Sequence, residues 1–183
     1  MDLSRLLFVM GVGFLAANLR LLYQFLHFIR LKSSAVLIWP GRRPPMYGLL
    51  LGLGAVLAML IIYKLAFLRV HPIRVFGESM MLVYYGYAMP LSLKIGRGFY
   101  EDGIWSDAGF VKYSSIGGLT WREGTQPTLV LIDRMRAFGR KLTVPEGCYA
   151  AARRVLRDKI AAHDIHFTGT SLDLGGHDER DDV

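Results

Sequence analysis

The sequence predicts an α+β membrane protein: about three transmembrane helices, then a small antiparallel β-meander capped by a C-terminal amphipathic helix. Three observations lead there. Two apolar runs early in the 183-residue chain are long enough to cross a hydrocarbon core. The charge is divided, with 11 Lys+Arg and 2 Asp+Glu in residues 1–98 against 11 and 13 in residues 99–183. Acid-poor helices flanked by cationic loops produce that imbalance. Past Gly98 the apolar period shortens from helical to two.

The first run, Leu6–Phe28, is interrupted by Asn18, Arg20, Gln24 and His27. Arg5 followed by LLFVMGVGFLAA opens like a signal peptide, but apolar residues resume at Leu21 without a small-x-small cleavage pattern. The second run, Met46–Leu68, is broken only by Lys64. At ~1.5 Å per residue each can span. The third, Val75–Ile95, is weaker and contains Glu78, Pro90 and Lys94. Arg30, Lys32, Arg42 and Arg43 between the first two runs mark a cytoplasmic loop. Three crossings then place Lys94, Arg97 and the rest of the chain inside, leaving Arg5, Arg69 and Arg74 outside. Two crossings would put the C-terminal domain on the other side. Trp39 and Tyr47 are expected to be interfacial anchors.

Polar groups in these runs are functional candidates, since a charged side chain costs roughly 2.5–3.5 kcal/mol at mid-membrane on insertion scales. Lys64 and Glu78 should lie at similar depth and can staple two helices. Arg20 lies past the middle of its helix. Its Cβ points back toward the helix N-terminus, away from the nearer surface. It is expected to face a helix contact, a cavity or a partner subunit. Gly48-LLL-Gly52 and Gly13-FLA-Ala17 have the spacing that lets helices approach closely, within the chain or between copies.

The sequence divides into an anchor (1–97), a β-meander with its helix (98–163) and a disordered acidic tail (164–183). FYEDGIW reads as one strand, SDAG as a turn, and Phe110–Tyr113 as a strand. Gly118–Glu123, TLVLI and Phe138–Val144 follow, giving about five strands. Pro145 suits the first turn of a helix, whose Tyr149, Ala152, Leu156 and Ile160 share one face.

The succession GIW, GFVKYSSIGGLTWRE, TLVLI and KLTVP before a terminal amphipathic helix resembles the membrane-anchored bacterial pleckstrin-homology-like domains. Gly103, Ile104, Phe110, Tyr113, Ile116 and Trp121 carry the resemblance, which covers residues 99–163. It implies an interaction or scaffolding module held at a bacterial cell (inner) membrane. The charge bias puts the C-terminal domain in the cytoplasm, and the small size of the β unit calls for support from the membrane helices, a protein partner or a second copy. A full domain of that kind has more strands than the five found. The lipid-headgroup site of its eukaryotic members is a basic cluster at the first hairpin. Here that turn reads SDAG, so phosphoinositide binding is not implied.

Arg134, Arg136, Arg140 and Lys141 crowd the last hairpin and can touch anionic lipid headgroups. Nucleic acid is not expected, because no groove-entering motif accompanies these charges. No catalytic motif appears, and adjacent strand positions would set Glu101 and Asp102 on opposite faces. No enzyme activity and no cofactor are expected. His163, His166, His177 and Asp178 sit in a segment without the context of a metal site. The single Cys148 reads as a small buried apolar residue. An alternative function is an accessory subunit of a transport or envelope complex, assembled through the helices.

Overall fold

The computed structural model describes residues 3–122, 124, 126–134, 139–165 and 177–178. The chain divides into two compact units, one of Met1–Arg30 with Gly41–Ile95 and one of Leu31–Pro40 with Gly96–Val183. The make-up of the second unit differs from the expected division, because residues 31–40 and 96–97 of the expected anchor belong to it.

The helical unit begins with α1 (Leu3–Leu31) and α2 (Tyr47–Ala66). Both are long and apolar enough to cross a membrane, and only 11% of each apolar window is buried. They are therefore not core helices of a soluble fold. Leu19, Leu49, Val56, Met59 and Ile62 are among many large side chains left uncovered, and such a surface needs a non-aqueous environment.

The third apolar run is built in pieces. A 3₁₀ turn (Pro72–Val75) leads into α3 (Phe76–Val83), a π-helical turn (Tyr84–Ala88) and α4 (Met89–Ser92). Pro90 sits in the first turn of α4, directly after the π turn, and its ring nitrogen has no hydrogen to donate back to that turn. The wider π turn precedes it and adjusts the backbone at that junction.

Rings pair between Phe8 and Phe76 and between Phe14 and Tyr84, with centroids 5.5 and 5.3 Å apart. The contacts advance together, so α1 and α3 run parallel. Lys64 meets Glu78 while Gly54 meets Tyr85, so α2 runs antiparallel to α3. The close approach is made by Gly11 and Gly77: a Cβ on Gly11 would come within 2.8 Å of the Gly77 Cα. The spaced small residues of the sequence reading are not used this way. A Cβ on Gly13, Gly48 or Gly52 would meet nothing within 4 Å.

The β unit holds more strands than the sequence reading found. β1 (Ala35–Pro40) lies in the connection between α1 and α2. After the helices come β2 (Gly96–Tyr100), β3 (Gly103–Ser106) and β4 (Gly109–Lys112). They form one antiparallel sheet in the order β1-β2-β3-β4. FYEDGIW is thus two strands around a turn at Glu101 and Asp102, not one. SDAG is the β3–β4 turn, with Ser106 opposite Gly109. The second sheet contains β5 (Ile116–Arg122), β6 (Thr128–Asp133) and β7 (Gly139–Thr143) in the order β7-β6-β5. β8 (His177–Asp178) adds two residues beyond β5.

α5 (Glu146–Ala161) follows directly, with Pro145 at the N-cap rather than in the first turn. Ala152 and Leu156 are fully buried against a core that includes Phe99, Ile104, Leu129, Leu142 and Val144. Each large apolar side chain in that core contributes ~1.5–3 kcal/mol by leaving water. The expected tail boundary at 164 falls too early. Ile165 is in the core and Asp164 accepts from Lys159. Most of the remaining tail lies outside the described residues.

Trp39 is a core residue of β1 rather than an interfacial anchor. Its ring packs on Phe99 and its indole N–H donates to the Thr143 carbonyl at 3.2 Å. Neighbouring pairs Leu37↔Phe99, Ile38↔Gly98 and Trp39↔Arg97 fix the register. Gly98 has φ +133°, and a Cβ there would lie 2.1 Å from the Leu37 carbonyl oxygen. Gly98→Ala should therefore destabilise the β unit by at least ~2 kcal/mol through backbone strain and lost β1 contact. All three tryptophans lie in this unit, so denaturation followed by tryptophan fluorescence measures it directly.

Candidate functional site

The intramembrane candidates separate into a pair and a single. Lys64 occupies the last turn of α2 and Glu78 the first turn of α3, the helix ends that favour each charge. Lys64 Nζ lies 2.5 Å from Glu78 Oε1. The Glu78 side chain is 4% exposed and that of Lys64 29%. Asn18 Nδ2 donates to the Met80 carbonyl at 3.1 Å, beside the π turn. Among the described residues, Glu78 Oε2 and Asn18 Oδ1 are buried without a hydrogen-bond partner. These contacts staple α3 to both other helices.

Arg20 is not drawn into this set. It is exposed, and no acceptor among the described residues lies within reach of its guanidinium.

The basic hairpin does not form one patch. Arg140 and Lys141 are consecutive on β7 and point to opposite faces. Arg140 is half-buried: Nη1 donates to the Phe110 carbonyl at 3.4 Å, and Nη2 lies 3.9 Å from Asp133 Oδ2. Lys141 is exposed, as is Arg134. Arg136 lies outside the described residues. The SDAG turn is tied inward as well. Asp107 pairs with Arg97, its Oδ2 accepts from the Thr143 hydroxyl at 3.4 Å, and its backbone N–H donates to the Lys141 carbonyl at 2.9 Å.

Sequence reasoning missed a cleft of about 620 Å³ lined by Glu101, Asp102, Lys112, Tyr113, Ser114, Lys159 and Asp164. Glu101 and Asp102 both line it, because they occupy a turn where strand alternation does not apply. Lys159 spans the cleft. Its Nζ donates to the Glu101 carbonyl at 3.0 Å and to Asp164 Oδ2 at 2.9 Å, and lies 5.2 Å from the Tyr113 ring centroid. The Tyr113 hydroxyl donates to the Tyr100 carbonyl at 3.0 Å. Burial, then the carboxylates of Asp164 and Asp102, push the Tyr113 hydroxyl well above the usual phenol range. Burial alone pushes Tyr100 up to about 12. Both phenols stay neutral and act as donors at any physiological pH.

Cys148 is half-buried against the core. No group of three metal-ligating side chains occurs among the described residues. His166 lies outside them.

Comparison with protein-family models, curated proteins and solved structures found no match to this chain.

If the Lys64–Glu78 pair is a staple, removing one partner strands the other. Glu78→Leu should cost ~3–5 kcal/mol of helical-unit stability. The double replacement Lys64→Met with Glu78→Leu should recover most of it. Thermal unfolding of the purified full chain in detergent, followed by far-ultraviolet circular dichroism, compares the two.

Proposed function

We propose that the chain is a non-catalytic, multi-pass protein of the bacterial cell (inner) membrane. On this reading it crosses three times and presents a pleckstrin-homology-like module to the cytoplasm for a protein partner.

The pairing of β1 with β2 carries the reading. β1 lies between α1 and α2, and β2 lies after α4, yet the two are hydrogen-bonded over five register positions. Paired strands lie on one side of a bilayer. A chain that leaves β1, crosses through α2 and rejoins β2 must cross once more between residues 67 and 95. The path from Pro72 to Ser92 is the only helical segment available for that crossing. Its parallel course beside α1 and antiparallel course beside α2 agree with three alternating spans.

The charges assign the side. Arg30, Lys32, Arg42 and Arg43 flank β1, and Lys94 and Arg97 flank the start of β2. Such an excess belongs in the cytoplasm.

The module reading is supported by two antiparallel sheets of four strands each among the described residues, β1-β2-β3-β4 and β7-β6-β5-β8, with a helix packed on their core. They hold more strands than the about five of the sequence reading. The first hairpin of the module is then β1–β2, not the SDAG turn, and its connection is the membrane segment itself. The loop that gathers cations for a lipid headgroup in the eukaryotic members is here replaced by helices. A protein partner follows better than a headgroup, with exposed Lys141 and Arg134 as secondary contacts to anionic lipid.

Paired reporter fusions test the reading. A reporter active only inside the cell should work at Val183 and fail at Arg69; a reporter active only outside should do the reverse. An external Val183 would overturn the three-span, cytoplasmic assignment.

A further inference from the structure

Gly11, Phe14 and Asn18 direct α1 toward α3. At ~100° per residue, a second face centred about 120° away carries Gly13, Ala17, Arg20 and Gln24. Their spacing of four, three and four residues is the repeat of a helix seam. A Cβ on Gly13 would meet nothing within 4 Å, and Arg20 is exposed. The face therefore pairs small residues with an uncompensated cation inside the apolar length of α1.

We propose that this face docks a transmembrane helix of a different protein, one that carries a carboxylate at the depth of Arg20. The inference rests on α1 crossing the membrane, and not on the number of later crossings.

Charge complementarity selects the occupant. A guanidinium in lipid demands an acceptor. The strongest acceptor in lipid is a carboxylate, and a second copy has no free carboxylate to offer. The only carboxylate between residues 3 and 95 is Glu78, whose side chain is 4% exposed and bound to Lys64. Glu78 is also at the wrong depth. Its neighbour Gly77 packs at Leu7 and Gly11, about 15 Å along the axis from Arg20. A lipid headgroup is disfavoured by direction. The cationic flank of α1 begins at Arg30, about 15 Å further along, while the Arg20 Cβ points the other way. Gly13 and Ala17 allow a partner backbone to come close, and Gln24 supplies a further hydrogen bond one turn on.

The test uses the full chain in phosphatidylcholine vesicles at pH 8 with labelled Leu-Ala transmembrane peptides. The peptides carry one Asp at successive positions of their inner half, or Leu throughout. Energy transfer from labelled protein should show at least tenfold stronger association with an Asp peptide than with the Leu peptide. Arg20→Leu should abolish that preference and Arg20→Lys should keep most of it. Gly13→Leu should weaken association with every peptide while leaving tryptophan fluorescence unchanged. Equal association of Asp and Leu peptides with the wild type would overturn the proposal. So would Arg20-dependent transfer between two copies of the chain, which assigns the face to self-association. An Asp preference that vanishes when anionic lipid is added would assign Arg20 to headgroups and also overturn it. Failure of the topology reporters with a retained Asp preference would sink the three-span reading alone.

Discussion

The hydrogen bonding of β1 to β2 is the constraint on which the other features depend. β1 leaves its sheet at Pro40, and the chain returns to the same sheet only at Gly96. Between those points lie α2 and the third helical path. The returning strand fits because Gly98 lets the two backbones come closer than any side chain would allow. Beyond the register, the Glu101 N–H donates to the Ser34 carbonyl at 2.9 Å, so the contact continues past the strand end. Trp39 extends the link to the second sheet through Thr143. Without β1, β2 would be an open edge, and a small unit would lose part of a core it can ill spare. The β unit and the helical unit are therefore coupled through the covalent chain: α2, α3 and α4 are an insertion between the paired strands β1 and β2.

The polar groups inside the helices divide by whether the chain compensates them. Lys64 and Glu78 neutralise each other, and Asn18 is held at the Met80 carbonyl of α3. Such groups specify which helices pack and in what register. Arg20 has no such partner among the described residues. The same contrast appears in the β unit, where Arg97, Arg140 and Lys159 are committed to Asp107, Asp133 and Asp164, while Lys141 faces outward. Uncommitted cations identify contact surfaces better than cation density does, and in the crowded last hairpin Arg140 is tethered to Phe110 and Asp133.

The apolar runs, the turn at SDAG, β5, β6 and the buried face of α5 were legible because each depends on local periodicity or turn chemistry. β1 was not. AVLIWP is short, ends in proline and stands among Arg30, Lys32, Arg42 and Arg43, so its charges suggested a loop. Its partner is remote in sequence, and pairing of that kind leaves no local signal. The β2–β3 turn was hidden because Phe99, Tyr100, Ile104 and Trp105 surround it with apolar residues that read as one strand. The cleft at Lys159 gathers side chains from the turn at 101–102, β4, the following 3₁₀ turn and α5, and such convergence is invisible before the fold is known. The close approach of Gly11 and Gly77 was hidden for a related reason: it is made across two helices, whereas GxxxG spacing describes only one.

The most direct measurement is a disulfide trap of that pairing in intact membranes. Ser34→Cys and Glu101→Cys would be combined in a Cys148→Ala background, with a protease site inserted between α2 and α3. After mild oxidation and cleavage, the two fragments should stay joined and separate only on reduction. Fragments that part without reductant, from protein that is otherwise folded by tryptophan fluorescence, would place the α1–α2 connection and the C-terminal strands apart and contradict the account.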